Sequence, residues 1–289
     1  MHFNYNLRMP TVQELQNIAT QVRRDIVRMV HAVQSGHPGG SLGCADYFTA
    51  LYFEIMKHNP QNFTQEAVNE DVFILSNGHI SPVLYSVLAR SGYFPTIELA
   101  TFRKLNSRLQ GHPTTHEGLP GIRISTGSLG QGLSVTCGMA LAKKADNDNS
   151  ILYVNMGDGE LQEGQNWEAI MYAGHHPLDN IIATIDYNKQ QIDGNVIEIM
   201  GFSDLRNKFE AFNWHVLEMN GNDMQDILDT NAIAKTFLGK GKPIVILMHT
   251  EMGAGVDFMM GSHEWHGIPP NDTQLESALK QLSSTLHDY

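Results

Sequence analysis

Asp158 stands between Gly157 and Gly159, and Asn188 follows thirty residues later. One carboxylate and one amide oxygen suit a small hard cation such as Mg²⁺, with phosphate oxygens filling its remaining positions. The flanking glycines leave the backbone bare enough for a bulky diphosphate to approach. Four histidines each lie beside a glycine: His37, His79, His112 and His266. Any one alone reads as a loop histidine satisfied by backbone. Together they carry more weight, because loops at one edge of a sheet converge. Imidazoles there can bind phosphate and sugar hydroxyls and move protons near neutral pH.

Other chemistries fit poorly. His263-Glu264-Trp265-His266 leaves one residue between glutamate and second histidine, where a zinc-protease helix needs two. His175 and His176 are adjacent, so their side chains point apart. Gly127-Ser128-Leu129-Gly130-Gln131-Gly132 lacks both the Lys-Ser/Thr ending of a P-loop and the dinucleotide-binding spacing. The helix after it could still turn its N-terminus toward a ligand.

The elements that must position these groups alternate along the chain. Ile151–Asn155 and Ile181–Ile185 read as buried strands, with a helix containing Trp167–Ile170 between them. A strand, crossover helix and parallel strand bring two strand ends side by side, so Asp158 and Asn188 meet at one carboxyl edge. Val72–Leu75, Trp214–Leu217 and Ile244–Leu247 read as further strands. Thr11-Val12-Gln13-Glu14 fits a capping box, opening a helix that ends near Gln34. Ser35 to Ser41, with three glycines and a proline in seven residues, reads as a tight loop. Helices are expected to carry Tyr47–Ile55 and to span about Leu133–Lys144, Met224–Phe237 and the stretch after Asn271. The segments Asn106–Gly132 and Gly253–Pro270 read as irregular, and loops of that length are usually functional or disordered. The expected fold is α/β: a single doubly wound, mostly parallel sheet with helices on both faces, one domain over 1–289.

Bulk properties narrow the function classes. A net charge of −12 argues against nucleic acid and anionic membrane surfaces as partners. Cys44 and Cys137 are the only cysteines and sit among small apolar residues, as buried thiols do. No apolar run is long enough to span a bilayer, and the Met1–Asn6 start has no leader features. A soluble, cytoplasmic setting is the expectation.

In order along the chain come Ser35-Gly36-His37-Pro38-Gly39-Gly40, Ser76-Asn77-Gly78-His79, Gly111-His112-Pro113, the Gly127–Gly132 run, Gly157-Asp158-Gly159-Glu160-Leu161-Gln162-Glu163-Gly164 and Trp265-His266-Gly267. Gly-Asp-Gly with Asn188 resembles the metal-diphosphate motif of thiamine-diphosphate enzymes, and the whole series resembles transketolase. The resemblance implies thiamine diphosphate and Mg²⁺ (or Ca²⁺) as cofactors. Asp158 and Asn188 would ligate the metal through side chains, and Gln190 through its backbone carbonyl. His79 and His266 would contact the diphosphate, with Gly157 and Gly159 close to it. Gly127 and Leu129 would face the aminopyrimidine, and Ile192 would pack on the rings. His37, His112 and His266 would hold sugar hydroxyls and help move protons. Glu163 would lie at a subunit interface, coupled to the glutamate that activates the cofactor.

Full-length members of the family carry two further domains, and this chain stops at Tyr289. The resemblance therefore implies the N-terminal subunit of a split transketolase. A separate C-terminal subunit would carry the activating glutamate, sugar phosphates would be the substrates, and the chain would self-associate. Alternatives are a subunit of a related carboligase or 2-oxo acid dehydrogenase, a transketolase acting on an unusual sugar, or a non-enzymatic binding subunit.

Overall fold

The structure is a computed structural model and describes residues 9–289; the Met1–Asn6 start lies outside the described residues. Helix α1 (Val12–Ala32) opens with the expected capping box. The Thr11 hydroxyl accepts from the Glu14 N–H at 3.2 Å, and Glu14 Oε2 accepts from the Thr11 N–H at 2.8 Å. The helix stops at Ala32, and Gln34 just beyond takes a left-handed φ of 46°.

The next segment corrects the sequence reading. Pro38–Gly43 is a short helix, α2, with Pro38 in its first turn, and not part of a loop. Its glycines serve close packing: a Cβ at Gly39 would lie 2.8 Å from the Trp265 carbonyl oxygen, and one at Gly43 would lie 3.0 Å from that of Glu251. The helix expected over Tyr47–Ile55 is likewise divided, into α3 (Ala45–Ala50) and a π-type turn over Leu51–Ile55.

The remaining elements are β1 (Val72–Leu75), α4 (Ser81–Arg90), α5 (Gly132–Ala145), β2 (Leu152–Gly157), α6 (Gly164–His175) and β3 (Ile181–Asp186). A small antiparallel hairpin follows, β4 (Gln190–Gln191) and β5 (Gly194–Asn195), then α7 (Val196–Met200) and α8 (Leu205–Ala211). The chain closes with β6 (His215–Asn220), α9 (Met224–Lys235), β7 (Ile244–His249) and α10 (Asp272–Gln281). Residues 106–131 carry no helix or strand, as their composition predicts.

The five long strands form one parallel sheet in the order β1-β2-β3-β7-β6. Alternate side chains feed two cores, as the pleat requires. Phe73, Tyr153, Ile182 and Ile246 face the core built with α1, α3, α4, α9 and α10. Ile74, Val154, Ala183 and Val245 face the core built with α5, α6 and α8. Helices thus cover both faces, which is why these strands read as unbroken apolar runs. After β1 the chain crosses into α4 on the first face, and after β2 into α6 on the second. The loops part there, leaving a crevice at the carboxyl edge.

Helix α6 packs its Gly174 directly on the turn before β6: a Cβ there would lie 1.8 Å from the Phe212 carbonyl oxygen. Gly174→Ala should therefore destabilise the chain by about 3 kcal/mol through overpacking. A urea unfolding midpoint equal to that of the wild type would refute this.

Candidate active site

All the candidate catalytic, cofactor-binding and metal residues named from the sequence line one cavity of about 360 Å³. His37, His79, His112 and His266 all line it. Gly127 and Leu129 come from the irregular segment, and Gly157, Asp158 and Gly159 from the end of β2. Asn188, Gln190 and Ile192 come from the end of β3 and the hairpin, with Glu163 at the start of α6.

The metal-type pair is built by strand register. Gly157 pairs with Asp186 across β2 and β3, so the residues that follow each strand emerge together. Asp158 is buried, and its carboxylate accepts from the N–H of Gly159 at 2.7 Å and of Lys189 at 2.6 Å. Asp186, also buried, accepts from Asn188 Nδ2 at 2.9 Å and from the Thr250 hydroxyl. That bond fixes the Asn188 amide so that its oxygen, which also accepts from the Gln190 N–H at 2.8 Å, is the end left for a ligand. Burial and the neighbouring Asp186 push the Asp158 carboxyl up to about 8. A carboxyl so raised takes up its charge most readily when a cation sits beside it. Among the described residues no three His, Cys, Asp or Glu side chains cluster as a metal site. A bound cation would thus lean on the Asn188 amide, a backbone carbonyl and phosphate oxygens, which suits Mg²⁺ or Ca²⁺ better than zinc.

Three of the histidines form a compact group. Ring centroids lie 5.0 Å apart for His37 and His79, 5.1 Å for His79 and His266, and 5.7 Å for His37 and His266. Burial, reinforced by neighbouring imidazoles, lowers His37 to about 4 and lowers His79 well below its ordinary value. Burial also lowers His112, with Arg103 contributing, and His266. All four are therefore neutral at pH 7, able to donate from one nitrogen and accept at the other. His37 Nδ1 is buried without a partner in the chain, as is Gln191 Nε2. Both point to polar groups of a ligand, since buried polar atoms rarely go unpaired.

Gly127 has a φ of +125°, and a Cβ on it would lie 2.6 Å from the His112 ring. Only glycine lets the two loops approach this closely. Glu163 caps α6 by position, with no side-chain cap bond, and its carboxylate is exposed at the cavity rim. Ile192 is 62% exposed on the same rim.

Sequence reasoning missed Asn77, Glu160, Asp186 and Gln191, which also line the cavity. Glu160 is buried and accepts from the Ser76 hydroxyl and from the N–H groups of Gly130 at 2.9 Å and Gly157 at 3.1 Å. One carboxylate thereby joins the ends of β1 and β2 to the glycine run. Each missed residue sits inside or beside a motif already in view, and that adjacency was the signal available.

The family described as "Transketolase, thiamine diphosphate binding domain" matches residues 15–286. The chain belongs to that family and carries its thiamine-diphosphate-binding domain. It is 39% identical to an apulose-4-phosphate transketolase subunit of Phocaeicola vulgatus, over 95% of this chain and 96% of that one. It is 38% identical to the 6-deoxy-6-sulfo-D-fructose transketolase subunit SqwG of Clostridium sp., over 93% and 96%. The solved transketolase of Campylobacter jejuni superposes with a TM-score of 0.86 at 37% identity, covering 94% of this chain but 43% of that one. The chain thus corresponds along its length to these separate transketolase subunits, and to less than half of the longer transketolases. Among the described residues no helix is long and apolar enough to cross a membrane.

Proposed function

We propose that this chain is the diphosphate-binding half of a two-chain transketolase that moves a two-carbon ketol unit from a ketose phosphate to an aldose phosphate. The observation that carries the reading is one cavity holding both the Asp158–Asn188 pair and the four neutral histidines. A cation-diphosphate anchor and a sugar-handling wall share that space. A carboligase or 2-oxo acid dehydrogenase subunit would need the first and not the second.

Bound thiamine diphosphate would supply the carbanion chemistry that breaks and re-forms the C–C bond. Asp158, Asn188 and the Gln190 carbonyl would hold Mg²⁺ or Ca²⁺, and His79 and His266 would bind the diphosphate with Gly157 and Gly159 beside it. The backbone at Gly127 and Leu129 would face the aminopyrimidine, and Ile192 would pack on the rings. His37, His112 and His266 orient the sugar's hydroxyls, and as neutral imidazoles they accept and return hydroxyl protons.

Glu163 at the rim faces a separate C-terminal subunit that carries the activating glutamate, and the pair self-associates. We place the enzyme in the cytoplasm, in keeping with two buried free thiols. Relatives whose names specify a branched sugar phosphate and a sulfonated sugar favour a second reading of the substrate: an unusual ketose. The sugar's terminal group would then be read by the partner chain.

The test is to assay ketol transfer by the chain alone and after mixing with its co-purified partner. Xylulose 5-phosphate, a sulfonated ketose and a branched ketose phosphate serve as donors and ribose 5-phosphate as acceptor. Activity is expected only in the mixture. Full activity of the lone chain would overturn the two-chain claim, and a preference for one donor settles the substrate.

A further inference from the structure

Arg103 lies behind the histidine wall, outside the cavity lining, in a setting that is expensive for a cation. Its backbone has a φ of 55°, rare for a residue with a side chain, and its N–H is tied to the Leu109 carbonyl at 2.8 Å. Burial lowers its pKa, and the partners it bonds are a hydroxyl and a carbonyl, with no carboxylate among them. Its Nε is buried without a partner. Strain and a half-buried guanidinium with no carboxylate partner persist where the surrounding structure uses them.

The use is legible in what the guanidinium touches. Nη1 donates to the Ser35 hydroxyl at 2.8 Å, two residues before His37. Nη2 donates to the Gly111 carbonyl at 3.4 Å, one residue before His112. The same parts are also near neighbours in the packing. A Cβ at Gly111 would lie 2.9 Å from Arg103 Cζ, and one at Gly36 would lie 3.5 Å from the Phe102 ring. We propose that Arg103 is a positioning residue whose planar fork ties the His37 loop to the His112 loop and so fixes the spacing of two imidazoles that grip the sugar. Lysine, a point donor on a flexible stem, cannot span both loops. The cation also adds to the burial that keeps both imidazoles neutral.

The sugar role rests on the transketolase reading above; the brace does not. In the assembled two-chain enzyme, Arg103→Met should raise KM for the ketose donor about tenfold or more, since loop displacements near 1 Å cost that much in oriented sites. The thiamine diphosphate dissociation constant should stay within about twofold, because the Asp158–Asn188 anchor is untouched. Ser35→Ala, which removes one arm, should move KM the same way, and Arg103→Lys should restore only part of the loss. In the full chain alone, hydrogen exchange should rise in residues 33–37 and 109–113 together in Arg103→Met.

Unchanged KM, full recovery by lysine, or an equal loss of cofactor affinity would overturn the positioning role. Unchanged exchange in either loop would overturn the brace itself. A wild-type pair without ketol transfer would overturn the sugar reading, and the exchange result would still decide the brace.

Discussion

Asp158→Asn in the assembled enzyme is expected to weaken divalent-cation-dependent binding of thiamine diphosphate on the order of a hundredfold or more, while the chain stays folded. Loss of supporting groups around a metal typically costs ten- to a hundredfold in affinity, and this change removes the only carboxylate proposed to touch the cation. The substitution keeps the shape of the side chain but only one of its two acceptors, so its amide NH2 meets the N–H of either Gly159 or Lys189. It removes a carboxyl whose charge the cation-free site disfavours. Asp158 is buried beside Asp186, and its carboxyl is pushed up to about 8. The cation-free variant should therefore melt within several degrees of the wild type, the lost acceptor partly offset by relief of the carboxyl pair with Asp186, which separates stability from binding. Calorimetric titration with Mg²⁺ and thiamine diphosphate checks the first part and thermal unfolding the second. Wild-type affinity in the variant would remove the metal assignment.

The histidine wall should make the chain acid-labile over a defined window. His37, His79, His112 and His266 all have folded-state pKa values below the ordinary histidine value, with burial as the leading cause. A group whose pKa is depressed on folding binds protons more readily in the unfolded chain. Its contribution is fully present above about 6.5 and is lost as pH falls toward the folded value, about 4 for His37. Discounted for partial exposure, His37 alone accounts for roughly 2 kcal/mol across that interval. Urea midpoints measured from pH 8 to pH 4 should decline below pH 6.5 and decline less in His37→Gln. Parallel curves for the two proteins would contradict the assignment of His37 to a buried neutral state. The same neutrality predicts that substrate turnover keeps its histidine function at pH 7 without a protonated member in the wall.

Much of this architecture was legible from residue pattern. The runs Val72–Leu75, Ile181–Ile185 and Ile244–Leu247 are apolar without alternation because both sheet faces are covered, and each forms a strand of the parallel sheet. Thr11 and Glu14 mark the start of α1 because a capping box is a local arrangement, closed within four residues. The family motifs are legible for a related reason: glycine beside a histidine or aspartate in a tight loop is a choice made for local geometry.

What escaped depends on contacts between distant segments. Pro38–Gly43 has the composition of a turn, yet it is helical because its small residues let it press against Met252, Glu251 and Trp265. The hairpin Gln190–Asn195 is too short for its pattern to stand out, and α4, α7 and α8 had no strong periodic signal to separate them from loop. Glu160 and Asp186 are ordinary acids by sequence. Their importance lies in the donors that surround them, Ser76, Gly130 and Gly157 for the first, Asn188 and Thr250 for the second.

By itself the sequence determined the fold class, the placement of Asp158 and Asn188 just beyond two strand ends and of the histidines in glycine-flanked loops, and the family, because pleat, capping and tight turns are written in neighbouring residues. Only the tertiary structure decided that four histidines from four separate segments share one wall and lose their charge to burial there. It also decided which end of the Asn188 amide faces a ligand, and that Arg103 reaches two histidine loops at once. Burial, desolvation and hydrogen-bond partnership are properties of the assembled interior, and no single stretch of chain contains them.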